Sequence, residues 1–247
     1  ELNRKIVDHL SDINMTITEH ARRYLIAEGI RPETIIKVGS SMMEIFDHFK
    51  PNIEGSKILD EIGLVNGEYI LVSLHREENV DNLRNFDNFF RSLREILDHY
   101  DKKVLVSTHP RTRKKIENTK GYISDERILF SKPFGFFDYV KLELNAFCVL
   151  SDSGTITEEA SLLKFPAITM RQAHERPEGM DEGTIIMSDL EPEDMINAIS
   201  IVTKQYAEGF RVRTVPDYEV DNVSKKVVRI IDSYIDYVNR TVWFKGL

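Results

Sequence analysis

Two adjacent carboxylates, Glu158 and Glu159, follow a run of small hydroxyl residues in the stretch FCVLSDSGTITEEASLL (147–163). Residues 147–150 read as a buried strand, 151–155 as a corner, and the chain from Thr157 onward as a helix. Ser153 and Gly154 place a hydroxyl and a backbone without a side chain beside free helix N–H groups, a combination that cradles phosphate. TITE (155–158) equally fits a capping box, with the Thr155 hydroxyl at the N-cap and Glu158 as its partner. The pattern alone leaves a capped turn and a phosphate cradle level. Carboxylates at a helix start gain from the helix dipole. Beside a phosphate they repel it, so at least one must point elsewhere. A ribose diol, which donates two hydrogen bonds to a carboxylate, meets that need.

Three further polar stretches follow apolar runs: LHREEN (74–79), STHPRTR (107–113) and MRQAHERPEGM (170–180). They hold His75, His109 and His174, three of the seven histidines, at equivalent positions, which points to a shared cleft. A histidine followed by an arginine reads as a phosphate clamp or general acid, or as a surface salt-bridge cluster. Arg171 and Arg176, close to a phosphate loop, suit pyrophosphate; a solvated charged loop is the plainer reading. FSKPFGFFDYVKLELNA (130–146) crowds Phe134, Phe136, Phe137 and Tyr139 around Gly135; most of these rings are expected in the core, with one against a base as the alternative. The chain has no Walker A or G-x-G-x-x-G loop, no G-x-S-x-G elbow and no H-E-x-x-H spacing, so neither a Ser/His/Asp hydrolase nor a histidine metal site fits.

These loops need strands to hold them. Strand candidates are YILVSLH (69–75), KVLVSTH (103–109), RILF (127–130), AFCVLSD (146–152), AITM (167–170) and TIIM (184–187). Between the first two, Leu83, Phe86, Phe90, Leu93 and Leu97 recur every three or four residues, one apolar helix face. EEASLL, PEDMINAISIVTKQY and VSKKVVRIIDSYIDYV supply further helices. Near-continuous aliphatic strands alternating with helices predict an α/β fold with a doubly wound parallel sheet, in which ligands bind beyond the carboxyl ends of the strands. Residues 1–50 read as helix, strand, helix, strand preceding the main unit, and PNIEGSK (51–57) as the boundary, giving an initial segment 1–50 and a domain 51–247 that includes the terminal helix.

Composition narrows the partners. A net charge of −8 with no basic stripe argues against nucleic acid, while a small anion needs only local donors. Cys148, the single cysteine, is expected as a small core residue, and no internal disulfide can form. No apolar run approaches a membrane span and no signal-peptide pattern appears, so a cytoplasmic location is expected and no membrane partner.

Together LHREEN, P-F-x-x-F-D-Y-V-x-L, SDSGTITEEA and RQAHERPEGMDEGT resemble, in order and spacing, the non-hydrolysing UDP-N-acetylglucosamine 2-epimerase family, and the opening ELNRKIVDHLSD resembles that family's E-x-N-R stretch. The resemblance covers essentially the whole chain. It implies one Rossmann-like half of a GT-B-like two-domain fold, with an N-terminal half preceding residues 1–50, a UDP-N-acetylhexosamine substrate, no cofactor or metal, and a homodimer. It also implies inversion at C2 of the sugar by elimination and re-addition of UDP. Residue by residue, Ser153, Gly154 and Thr155 match the phosphate positions, Glu159 the ribose-binding glutamate, Tyr139 the aromatic beside uracil, and His75 the active-site histidine. Phe134 and Arg171 are assigned to the same nucleotide site. Glu175 and Arg176 belong to the matched E-R-P-E loop, and Glu1 matches an active-site carboxylate. On this reading Glu158 is the cap partner of Thr155. Thr155 in place of a glycine, Glu77 in place of an arginine, and THPRT around His109 depart from the family pattern. SDSGTITEE and AHERPEGM resemble the branch that makes UDP-N-acetyl-L-fucosamine for capsule or O-antigen. A GT-B glycosyltransferase and a non-catalytic nucleotide-sugar-binding domain are the alternatives.

Overall fold

The computed structural model describes residues 2–74, 83–108, 125–171 and 176–245. It divides into two compact units, one of residues Glu1–His48 with Thr214–Leu247, the other of Phe49–Arg213.

In the first unit, α1 (Leu2–Leu10), β1 (Asn14–Thr16), α2 (Glu19–Ala27) and β2 (Ile35–Lys37) follow the expected order, and the two strands pair in parallel. Thr18 caps α2, its hydroxyl accepting from the Ala21 N–H at 3.2 Å. The terminal helix (Val223–Thr241) belongs to this unit and not, as the sequence suggested, to the domain that follows residue 50. The reasons are polar contacts between residues far apart in sequence. Asp217 accepts from Lys37 Nζ at 2.6 Å and from the Glu19 N–H at 2.8 Å, and Glu44 accepts from the Ser224 N–H at 3.0 Å. Gly39, at φ +96°, lets the chain pass close to Val220, whose Cγ2 would lie 2.8 Å from an added Cβ. The boundary expected at 51–57 falls slightly earlier, between His48 and Phe49, and inside a helix: α3 (Met42–Gly55) carries Pro51 within it.

The second unit holds α4 (Ile58–Ile62), β3 (Tyr69–Leu74), α5 (Leu83–Tyr100), β4 (Lys103–Thr108), β5 (Ile128–Ser131), α6 (Phe136–Asn145), β6 (Cys148–Ser151), α7 (Ile156–Leu163), β7 (Ala167–Met170), α8 (Pro177–Asp181), β8 (Ile186–Ser188) and α9 (Pro192–Ala207). The strands form one sheet in the order β5-β4-β3-β6-β7-β8, with every pairing parallel. The expected doubly wound α/β sheet is what the chain forms. Alternate strand residues divide between two cores, as the twofold side-chain period requires. Ile70, Val72, Leu74, Val104, Val106 and Leu150 pack beneath α5 and α9 with Phe86, Phe90, Leu93 and Ile199. Tyr69, Leu71, Leu105 and Val149 pack on the opposite side with Leu142 of α6 and Ile156 and Ala160 of α7. Cys148 is fully buried in the first core, as expected. No helix among the described residues is long and apolar enough to cross a membrane.

Candidate functional site

The chain order of the strands reverses between β3 and β6, and parallel pairing puts all their carboxyl ends on one edge. Side chains and loops leaving neighbouring strands diverge at such a reversal, which opens a crevice. Ser73 and Ser151 are register partners just below that edge, and the Asp152 N–H donates to the Ser73 carbonyl at 3.2 Å. His75 follows β3 directly, but it lies outside the described residues, as do Glu77, His109, His174, Glu175 and Glu1.

Residues 152–155 leave β6 as a tight turn held by its own hydroxyls. Ser151 Oγ accepts from the Ser153 N–H at 3.1 Å, and Ser153 Oγ accepts from the Thr155 N–H at 3.3 Å. The Ser153 and Thr155 hydroxyls lie 2.9 Å apart, so they bond to each other. Thr155 is the N-cap residue of α7, but its backbone sits at φ −74°, ψ −19° and its side chain makes no capping hydrogen bond. An N-cap hydroxyl reaches the N–H groups of the next residues from an extended backbone, not from this helical one. The expected capping box is therefore absent. Glu158, expected as the cap partner, is buried and ion-paired with Arg176, the residue before α8.

Glu159 lies one residue on and is 9% exposed. Burial raises its carboxyl above the ordinary range, Glu158 adds to this, and Thr155, Glu143 and Arg176 act in the opposite direction. Facing it is Glu143, from α6, with no exposed surface. The two carboxyls act directly on each other, and both Glu143 oxygens are buried without another hydrogen-bond partner among the described residues. Burial, and then the charge of Glu159, holds the Glu143 carboxyl well above the ordinary range. Tyr139, one helical turn before Glu143, packs its ring against the second core, and its hydroxyl is pushed up by burial and by Glu143 and Glu159, with Ser73 beside it. Arg171, at the end of β7, is buried, and Phe134 is partly buried against the second core. The structure thus gathers Tyr139, Glu159 and Arg176 about the crevice with the 153–155 turn. The expectation that most rings around Gly135 are core does not hold: none of Phe134, Phe136, Phe137 and Tyr139 is fully buried, and Phe136 is 40% exposed.

Glu143 escaped the sequence reading. Its signal was present: it sits four residues after Tyr139 and three after the buried Val140, so a carboxylate occupies the inward face of α6. Asp152, with no exposed surface, was likewise given no role of its own, only a place where the strand candidate 146–152 meets the corner.

A Rossmann-like α/β sheet with a polar turn at the strand-order reversal has the crevice at which sheets of this class bind ligands. The model of the UDP-N-acetylglucosamine 2-epimerase family matches residues 1–232, and the chain belongs to that family. A UDP-N-acetylglucosamine 2-epimerase structure from Rickettsia bellii is 50% identical, with a TM-score of 0.91 over 99% of this chain and 65% of that one. The Methanocaldococcus jannaschii UDP-GlcNAc 2-epimerase in complex with UDP-GlcNAc and UDP is 31% identical, with a TM-score of 0.85 over 94% of this chain and 64% of that one. The curated UDP-N-acetylglucosamine 2-epimerase of M. jannaschii is 34% identical over 208 residues, 82% of this chain and 57% of that protein. The chain thus spans 57% to 65% of the length of these relatives. Its fold is that of one half of the GT-B-like arrangement seen in such neighbours.

Proposed function

We propose that this chain is the UDP-binding part of a UDP-N-acetylhexosamine 2-epimerase. The observation that carries the reading is the turn at 153–155, which opens at the β3–β6 crevice onto a helix start whose N-cap residue, Thr155, makes no side-chain capping hydrogen bond, with Glu159 one turn further on. Uncapped N–H groups with the dipole behind them suit phosphate oxygens. In this reading Ser153, Gly154 and Thr155 hold the phosphates, and Glu159 accepts from the ribose hydroxyls. Tyr139 and Phe134 flank uracil, and Arg171 and Arg176 face the pyrophosphate, Arg176 steadied by Glu158. The reaction is the one the family resemblance implies: a base takes the C2 proton, the C1–O bond breaks toward UDP, and a glycal forms. Protonation at C2 on the other face and return of UDP to C1 complete the inversion. His75, Glu1 and Glu175 belong to that acid–base apparatus. Stabilising the departing pyrophosphate is then the chief task of the turn and the arginines.

The motif variants SDSGTITEE and AHERPEGM support a finer placement, a branch acting on a 6-deoxy precursor of UDP-N-acetyl-L-fucosamine for capsule or O-antigen. The wider assembly in this reading is a cytoplasmic homodimer, with another Rossmann-like domain preceding residues 1–50 and the unit Phe49–Arg213 holding the nucleotide. Calorimetric titration of the intact protein with UDP is the test. Saturable binding is expected, and Ser153→Trp, which fills the turn, abolishes it; no binding at millimolar UDP, or full binding by the variant, overturns the nucleotide site. With substrate in deuterated water, deuterium enters at C2; its absence rules out the elimination route.

A further inference from the structure

Glu143 has no place in the reaction just described, yet it is the most unusual side chain of the second unit. It lies on the inward face of α6, fully buried, with both carboxyl oxygens lacking a hydrogen-bond partner among the described residues. A lone ionised carboxylate in such a place is very costly, so the group must be neutral or paired with a cation. Among the described residues, the groups that face it are Tyr69 from β3, Tyr139 on its own helix, and Glu159 from α7; beyond these lie Glu158, Arg176 and Asp152. No cation among them touches Glu143: Arg176 is ion-paired with Glu158 and acts on Glu159. The Tyr69 hydroxyl is turned to the Leu142 carbonyl, 2.5 Å away.

Two facing carboxyls in a dry site hold one proton between them, because both cannot ionise together. The asymmetry of the pair decides where the proton sits. Glu159 is nearer the surface and has Thr155 and Arg176 to favour its charge, whereas Glu143 has neither. We propose that Glu143 is a positioning residue of the nucleotide site: a neutral carboxylic acid whose O–H holds the Glu159 carboxylate in one orientation, leaving its outer oxygen to receive a ribose diol. The inference rests on Glu159 being the ribose ligand. Glu143 touches no ligand atom and acts through Glu159 alone. Its neutrality also keeps a second negative charge away from the phosphates.

The test is UDP titration of the intact protein from acid to alkaline pH, for the wild type, Glu143→Met and Glu143→Gln. Loss of a hydrogen bond to a charged group predicts about tenfold weaker binding for Glu143→Met. Glu143→Gln, which keeps a donor, is expected within about threefold of the wild type. Wild-type affinity falls toward alkaline pH as the pair takes its second charge, and Glu143→Gln lacks that fall. A merely structural role would lower binding equally for both variants and leave the pH profile unmoved, which overturns the proposal. An independent readout needs no nucleotide: the infrared carbonyl band of a protonated carboxyl is present at neutral pH in the wild type and missing from Glu143→Gln. Absence of that band from the wild type sinks the proposal by itself. If the wild type binds UDP and Glu143→Met binds it as tightly, the positioning role alone is wrong. If the wild type binds no UDP, the nucleotide reading and this role fall together.

Discussion

The two faces of the six-stranded sheet are packed by different rules. Beneath α5 and α9 the core is a continuous apolar layer in which Phe86, Phe89 and Phe90 meet edge to face, with ring centroids 4.8 and 5.4 Å apart. Aromatic pairs in that geometry add to the burial of their area. On the other face, α6 and α7 carry Glu143, Glu158 and Glu159 into the interior beside Tyr139. One face is built for stability alone. The other accepts buried carboxyls, and these are the groups a nucleotide site can use. The same sheet provides both, because its strands are shared and only the helices differ.

That contrast can be broken at its strong side first. Phe90 is 2% exposed in the apolar layer, and Phe90→Ala is expected to cost about 3–5 kcal/mol in urea unfolding. UDP affinity of the fraction that stays folded should be unchanged. A smaller unfolding change accompanied by weakened UDP binding would show that the faces are coupled.

On the site face, Gly179 of α8 lies so close to α7 that an added Cβ would fall 2.1 Å from Thr157 Cγ2. Gly179→Ala is expected to destabilise by about 1–3 kcal/mol, the usual range for overpacking. Because the displaced helix carries Glu158 and Glu159, UDP binding should weaken as well. A stable Gly179→Ala protein with full binding would mean that the α7–α8 contact gives way freely.

The smallest change in unfolding is expected at Glu143, and its sign is opposite. The folded-state carboxyl is raised, so its contribution to stability is fully present at acid pH, where folded and unfolded chains both carry the proton. Above the ordinary glutamate range, about pH 4.3, the unfolded chain ionises first and stability falls, until the buried group also ionises. Glu143→Met removes that decline. Urea unfolding as a function of pH should show the variant gaining on the wild type from mildly acid pH upward, while its UDP binding is weaker. Parallel pH curves for the two proteins would sink this account of the pair.

Much of this architecture is legible along the chain. The six aliphatic runs became the six strands, each within two residues at its start, because a strand buried on both faces needs an uninterrupted apolar stretch. Phe86, Phe90, Leu93 and Leu97 marked α5 by spacing alone. The 151–155 corner was also visible, since small hydroxyl residues between a strand and a helix leave few alternatives. Other features depended on partners distant in sequence. Glu158 looked like a cap partner because it stands three positions after Thr155, yet it pairs with Arg176, eighteen positions on. The terminal helix was assigned by proximity in sequence, and Asp217 and Glu44 place it elsewhere.

The sequence by itself determined the strands, the alternating helices and the chemistry available at their carboxyl ends. These depend on local periodicity and on residue type, which any short window carries. Only the tertiary structure decided that Thr155 leaves the α7 start uncapped, that Glu158 serves Arg176, and that Glu143 meets Glu159 in a dry site. Those outcomes depend on backbone angles at a single turn and on which buried charges face each other, and neither is written in the spacing of residues along the chain.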